Sequence, residues 1–213
     1  MKKVLLALDI TEKSINQALE KNCDMLITHH PLFFIPFEYN KNIPIYSAHT
    51  NLDKTDGGTT DTLIELLELG HAHKVEIQKS ELKVGRIQKA GDFLRVIDLG
   101  EEMLLNDLVN LLKDRLNIEN IRVVNNLNKQ MVKKISFCAG SGADFSNEAQ
   151  KISADVLITG DLKYHTALDS KIILIDIGHF ESERPVLNTI KHLLTPLNIE
   201  VIIADEKSPF INY

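Results

Sequence analysis

The sequence predicts an α/β fold built from two similar halves with a metal site between them, and three observations carry that expectation. Short runs rich in Val, Ile and Leu alternate with longer segments of helical period. The two ends of the chain align with each other at a nearly constant offset, which marks an internal duplication. Histidines and carboxylates stand at the ends of the apolar runs in both halves, where open α/β sheets collect their ligands.

Lys3 to Leu8 reads as the first strand. Thr11 can then cap a helix whose apolar positions Ile15, Ala18 and Leu19 recur at spacings of three and four, before a second strand from Asp24 to Thr28. A loop with Pro31, Pro36 and Pro44 leads to a strand near Ile43 to Ala48. The polar stretch HTNLDKTDGG then opens a helix from about Thr60 to Leu69, closed by Gly70 as a left-handed cap. In the middle, KVEIQ, KVGRIQ and FLRVIDL read as strands and Glu101 to Leu116 as an amphipathic helix with a scaffolding role. The alternation resumes near Lys133, with strands at Ile135 to Ala139, Asp155 to Thr159, Ile172 to Asp176 and Glu200 to Ala204. The expected organisation is one unit with an N-terminal half over 1–75, a middle scaffold over 76–130 and a C-terminal half over 131–213.

Composition narrows the function. The 213 residues are 44% hydrophobic and 25% charged, enough for one sizeable core or two small ones. No apolar run reaches the roughly 18 residues of a membrane span, and MKKVLLALDI is interrupted at Asp9, too early for a signal-peptide core. A cytoplasmic protein with no membrane partner is expected, with Cys23 and Cys138 as buried free thiols. Thirty acidic against 24 basic residues, with no Lys or Arg cluster, argue against nucleic acid as the main partner.

Setting Lys3 against Lys134, a shift of 131, pairs Val4 with Ile135, Ala18 with Ala149 and Asp24 with Asp155, and lays DMLITHH on DVLITGD with four of seven positions identical. A shift of 130 then places His49 on His179 and Asp53 on Glu183, so both halves end a strand with His-x-x-x-carboxylate. His29, His30, His49, Asp53, Asp161, His179 and Glu183 all fall at strand ends. Three imidazoles and two carboxylates from such a group make a nitrogen and oxygen donor set without thiolate, suited to Zn, Fe, Mn, Co or Ni better than to Ca or Mg. Two ions sharing a carboxylate would use five donors well, because a water between them becomes a nucleophile near neutral pH. Pro185 is tolerated only in a helix's first turn, so a helix from about Ser182 is expected to start beside Glu183 and hold it rigidly.

Other polar groups read more plainly. His71, His73 and His192 fit solvated surface side chains. Ala-Gly-Ser-Gly-Ala at 139–143 follows a strand but lacks the endings of a phosphate loop or a dinucleotide fingerprint, so a tight turn is the expected role. Lys163, Tyr164 and His165 follow Gly160-Asp161 and can serve as substrate contacts or as an acid.

With LITHHPLFF, YSAHTNLD and its following Gly-Gly, VGRI, GSGADF, DVLITGDLKYH and GHFESERPVL in this order, the chain resembles the GTP cyclohydrolase I type 2 homologues, or Nif-three-like proteins, over nearly its whole length. The resemblance implies two similar α/β domains, a ring-shaped hexamer and a dinuclear metal centre. Its ligands fall by motif on His29, His30, Asp53, His179 and Glu183, with Glu183 touching both ions. Two departures stand out: the family's usual opening Trp-Asp-Asn-x-Gly-Leu segment has no counterpart in this Trp-free chain, and the interval from His30 to His49 is shorter than usual. Neither removes an expected ligand.

The function expected is that of a metal-dependent hydrolase with two divalent transition-metal ions per chain, acting on a small, nucleotide-like substrate through a metal-bridging water. The alternative is a non-catalytic metal-binding or regulatory ring that engages other proteins. His49 and His165 are the residues on which the two readings divide, as candidate acid-base groups.

Overall fold

The computed structural model describes residues 1–32, 43–69 and 88–211. In chain order the elements begin with β1 (Lys3–Ala7), α1 (Glu12–Glu20), β2 (Met25–Thr28), β3 (Ile45–Ser47), α2 (Thr50–Asp53) and α3 (Thr59–Leu66). They continue with β4 (Gln88–Ala90), β5 (Leu94–Leu104), α4 (Leu105–Leu116), β6 (Arg122–Val124) and β7 (Met131–Phe137). The last are α5 (Ser146–Lys151), β8 (Val156–Thr159), α6 (Tyr164–Asp169), β9 (Ile173–Asp176), α7 (His179–Glu183), α8 (Val186–Leu194) and β10 (Glu200–Ile203). The strands expected at KVEIQ and over most of KVGRIQ, the Gly70 cap, Pro36, His71 and His73 lie outside the described residues.

The described chain divides into two compact units. The first, Met1–Gly58 with Arg184–Ile211, carries a parallel sheet in the order β10-β1-β2-β3. The expected Thr11 cap is present: its hydroxyl accepts the Ser14 N–H at 3.0 Å, and the Ser14 hydroxyl accepts the Thr11 N–H at 2.9 Å. The helix then buries Ile15 and Ala18 in a core with Leu5, Ala7 and Leu26.

The second unit, Thr59–Glu183, carries a six-stranded sheet in the order β4-β5-β7-β8-β9-β6. The strands β7, β8 and β9 are parallel, while β4, β5 and β6 join antiparallel. Leu108 and Leu112 of α4 and Leu63 and Ile64 of α3 are buried in one core with Ile97, Ile135, Phe137 and Ile158.

Several boundaries differ from the expected ones for identifiable reasons. The partition at 75 and 130 is not the one the chain contacts make. Glu200–Ile203 pairs with β1, with Lys3 opposite Glu200, so the C-terminal strand completes the first sheet. The middle segment joins the second sheet through β5 and β7, with Ile97 opposite Ile135. Glu101–Leu104 is strand, resumed after a register shift between Asp98 and Met103, and only from Leu105 does the chain turn helical. The helix α3 ends at Leu66, and Glu68 takes the left-handed conformation at φ 55°. Most importantly, no helix starts at Ser182. His179 to Glu183 forms the short α7, and Pro185, which has no N–H to give, caps the start of a separate α8. His179 and Glu183 are thereby one helical turn apart on the same face. Cys138 is buried and Cys23 half-buried, and both are free thiols.

The duplicated offset is repeated in local contacts. The Asp24 carboxylate, just before β2, accepts the backbone N–H groups of Lys2 and Lys3, the latter at 3.0 Å. Asp155, just before β8, accepts those of Lys133 and Lys134 at 2.7 and 2.9 Å. These are the same contacts displaced by the same 131 residues that align the sequences. Among the described residues no helix is long and apolar enough to cross a membrane.

Candidate metal centre

In the first unit the parallel strands deliver their polar residues at the carboxyl ends of β1, β2 and β3. Asp9 follows β1, the doublet His29-His30 follows β2, and His49 stands just after β3 at the N-cap position of α2, whose last residue is Asp53. The carbonyl of His30 accepts the hydroxyls of Thr28 at 2.8 Å and Ser47 at 3.1 Å, which pins the main chain just after the doublet. The rings of His29 and His30 lie 4.8 Å apart between centroids, and His49 packs edge-on against them at 5.3 and 5.6 Å. One ligand atom from each of the three histidines falls within 4.8 Å of the others.

The protonation pattern of these rings follows from their partners. Nδ1 of His29 lies 2.8 Å from the Ala48 carbonyl, an acceptor only, so Nδ1 donates and Nε2 is the ring atom turned toward Asp53. Nε2 of this fully buried ring is 3.5 Å from Oδ1 of Asp53. An imidazole nitrogen and a carboxylate oxygen at that separation form a donor pair of the type that suits a borderline transition metal. Nδ1 of His30 lies 2.9 Å from Oδ1 of Asp9, which leaves Nε2 as the ring atom available to a metal.

In the second unit the corresponding strand ends carry Gly140, Asp161 and His179. His179 Nδ1 lies 2.6 Å from Asp161 Oδ2, and its Nε2 lies 3.0 Å from Glu183 Oε2. Asp161 stands where the first half has His30, and it holds the left-handed conformation at φ 54°. The Ala-Gly-Ser-Gly-Ala segment is a turn, as expected, and it presses close to the carboxylate. Gly140, at φ 67°, has room for no side chain, since a Cβ there would lie 2.0 Å from Glu183 Oε1.

Glu183 first, and Asp161 after it, raise the His179 pKa to about 9 against the opposing effect of burial. The metal-free chain therefore holds an imidazolium between two carboxylates, the place of a cation. Because the folded value lies above the ordinary 6.5, the stabilisation is fully present below about pH 6.5 and is lost as pH rises through about 9. His179→Gln should accordingly lower the urea stability of chelator-treated protein at pH 6 and have much less effect at pH 10. Equal losses at both pH values would show that the imidazolium plays no part.

Of the residues singled out from sequence, the first unit gathers His29, His30, His49 and Asp53, and the second gathers Asp161, His179 and Glu183. His165 stands apart from them on the exposed side of α6. Its ring is 5.3 Å from that of Tyr164, and it lines a cavity of about 320 Å³ with Asp144, Asp169 and Lys171 that none of the expected ligands lines. Two orienting carboxylates escaped the sequence reading of the site. Asp9 registered only as the charge ending an apolar run, and Asp161 as a strand-end residue without a role. Their signal was position, because each stands two residues past a strand whose neighbour is followed by a candidate histidine.

A family model, Duf34/NIF3 (NGG1p interacting factor 3), matches residues 1–209. The chain belongs to this family. Within it, a GTP cyclohydrolase 1 type 2 homolog of Clostridium perfringens is 38% identical over 231 residues, covering 98% of this chain and 85% of that protein. The NIF3-like protein 1 of Drosophila melanogaster is 28% identical and covers 95% of this chain and 73% of its own length. Among solved structures, a Staphylococcus aureus hypothetical protein superposes with a TM-score of 0.81 at 26% identity, covering all of this chain and 87% of that one. The Duf34/NIF3 match spans both units.

Proposed function

We propose that the chain is a dinuclear metal-dependent hydrolase whose ions are held by His29, His30, Asp53, His179 and Glu183, with Glu183 shared between them. One observation supports this reading above the rest. Each of the three histidines has its Nδ1 engaged by a backbone carbonyl or a carboxylate, which directs Nε2 outward as a ligand, the arrangement that orients metal-bound imidazoles. A pair of such ions supplies a water nucleophile near neutral pH and positive charge for a developing oxyanion. The set contains no thiolate and combines imidazole with carboxylate, so Zn, Fe, Mn, Co or Ni fit it. A ring-shaped hexamer and a small nucleotide-like substrate are part of the proposal on the strength of the family resemblance, and a cytoplasmic location on the strength of the sequence composition.

His49 is the acid-base group of the proposed reaction. Its ring stands beside His29 and His30, and its carbonyl accepts the Asp53 N–H at 3.1 Å. A neutral imidazole there can take a proton from the attacking water or give one to the leaving group. His165, in its separate cavity, is left as a substrate contact.

Reconstituted protein should contain about two transition-metal ions per chain by elemental analysis, and a nucleotide screen should find hydrolysis that a chelator abolishes. His49→Gln should keep both ions and lose about 10² to 10⁴ in rate. A His49→Gln protein that instead binds metal about 10- to 100-fold more weakly and recovers its rate in excess metal would make His49 an orienting residue. Metal uptake without hydrolysis of any nucleotide would favour the non-catalytic ring.

A further inference from the structure

We propose that Asp176, backed by Arg122, is a positioning residue for the metal ligand His179; the inference rests on the dinuclear reading above. Asp176 ends β9 and is 4% exposed, a carboxylate sunk at the carboxyl end of the sheet. Its Oδ1 accepts the Gly178 N–H at 2.9 Å and its Oδ2 accepts the Leu162 N–H at 3.0 Å. Gly178 directly precedes His179, and Leu162 directly follows Asp161. One carboxylate therefore ties together the two backbone segments whose side chains meet in the 2.6 Å contact between His179 and Asp161.

The neighbouring backbone shows why such a tie is needed. Asp161 holds a left-handed conformation, φ 54°, that residues with a Cβ seldom adopt and that persists only where surroundings enforce it. Gly178 is also left-handed, at φ 90°. The Gly160 backbone is packed so close that a Cβ there would sit 2.7 Å from the His179 nitrogen. Arg122 lies directly opposite Asp176 in the β6–β9 register. Its guanidinium pairs with the Asp176 carboxylate and also reaches the Leu162 carbonyl at 3.5 Å. The Leu162 peptide is thus held at its N–H by Asp176 and at its carbonyl by Arg122. Loss of the Asp176 charge leaves this turn free to relax, Asp161 drifts from Nδ1 of His179, and the ligand's orientation is lost without any ligand being removed.

The test uses cobalt(II) as the probe on full-length, metal-depleted protein, reading affinity by chelator competition and geometry by the visible absorption of the bound ion. Asp176→Asn should weaken binding of one cobalt ion about 10- to 100-fold and change its absorption band, and Arg122→Gln should do the same more weakly. Asp155→Asn is the matched control. It removes a carboxylate that also binds two backbone N–H groups, but at the opposite end of β8, so it should lower the melting temperature and leave the cobalt isotherm and spectrum unchanged. If Asp176→Asn does not fold, the Arg122→Gln spectrum decides, because that side chain is 70% exposed and its loss spares the core. Wild-type cobalt affinity and spectrum in whichever variant folds would overturn the positioning role alone. Equal changes in Asp155→Asn would reduce it to general destabilisation, and a wild-type chain that takes up no cobalt would overturn the dinuclear reading itself.

Discussion

Glu183→Gln should leave the chain folded and strip it of at least one of its two metal ions. The substitution keeps the shape of the side chain, so the close approach of Gly140 to the Glu183 carboxyl is preserved. What it removes is the charge. In the metal-free chain that charge is the principal reason His179 holds its proton to about pH 9, and in the loaded chain it would neutralise both ions at once. An amide oxygen is a weaker donor and cannot bridge as a carboxylate does. Elemental analysis after gel filtration should read about two ions per chain for wild type and one or fewer for the variant, with circular dichroism unchanged. Two ions retained by Glu183→Gln would reject the shared-ligand assignment.

Asp61→Ala should cost about 3 to 5 kcal/mol of folding stability, the usual consequence of leaving one member of a buried ion pair uncompensated. Arg95 on β5 is 1% exposed, and its Nε lies 2.7 Å from Asp61 Oδ1 at the start of α3. The carbonyls of Asp92 and Leu94 accept from the same guanidinium at 3.2 Å but do not neutralise it. For a chain of this size, such a loss lowers the melting temperature by about 6 to 20 °C. The double variant Asp61→Ala, Arg95→Met should recover much of it, since a buried pair replaced by apolar groups is often neutral. A melting temperature within about 2 °C of wild type for the single variant would show that water or other groups already compensate Arg95.

The sequence by itself determined most of the elements and a group of candidate donors at the strand ends. Continuous apolar runs and helical segments of period 3.6 record which side chains are buried, so β1, β2, β8 and β9 were legible to within a residue or two. The offset of 131 was legible because duplicated strands need the same apolar residues and the same terminal carboxylates, Asp24 and Asp155. Ligand chemistry and strand-end position narrowed the candidates to His29, His30, His49, Asp53, Asp161, His179 and Glu183, and the family resemblance picked the five proposed ligands from among them.

Only the tertiary structure decided where segments distant in sequence are joined. Strand Glu200–Ile203 completes the sheet of β1, a pairing that hydropathy cannot encode because any parallel neighbour would satisfy the same apolar face. In place of the helix expected from about Ser182, the separate α7 places His179 and Glu183 one turn apart, a geometry that depends on where the chain leaves β9. Asp9, Asp161 and Asp176 gained their roles in the same way. A carboxylate orients an imidazole or clamps a backbone turn through distances of about 3 Å across 14 to 21 residues of sequence, and those distances exist only after the sheets have brought the strand ends side by side.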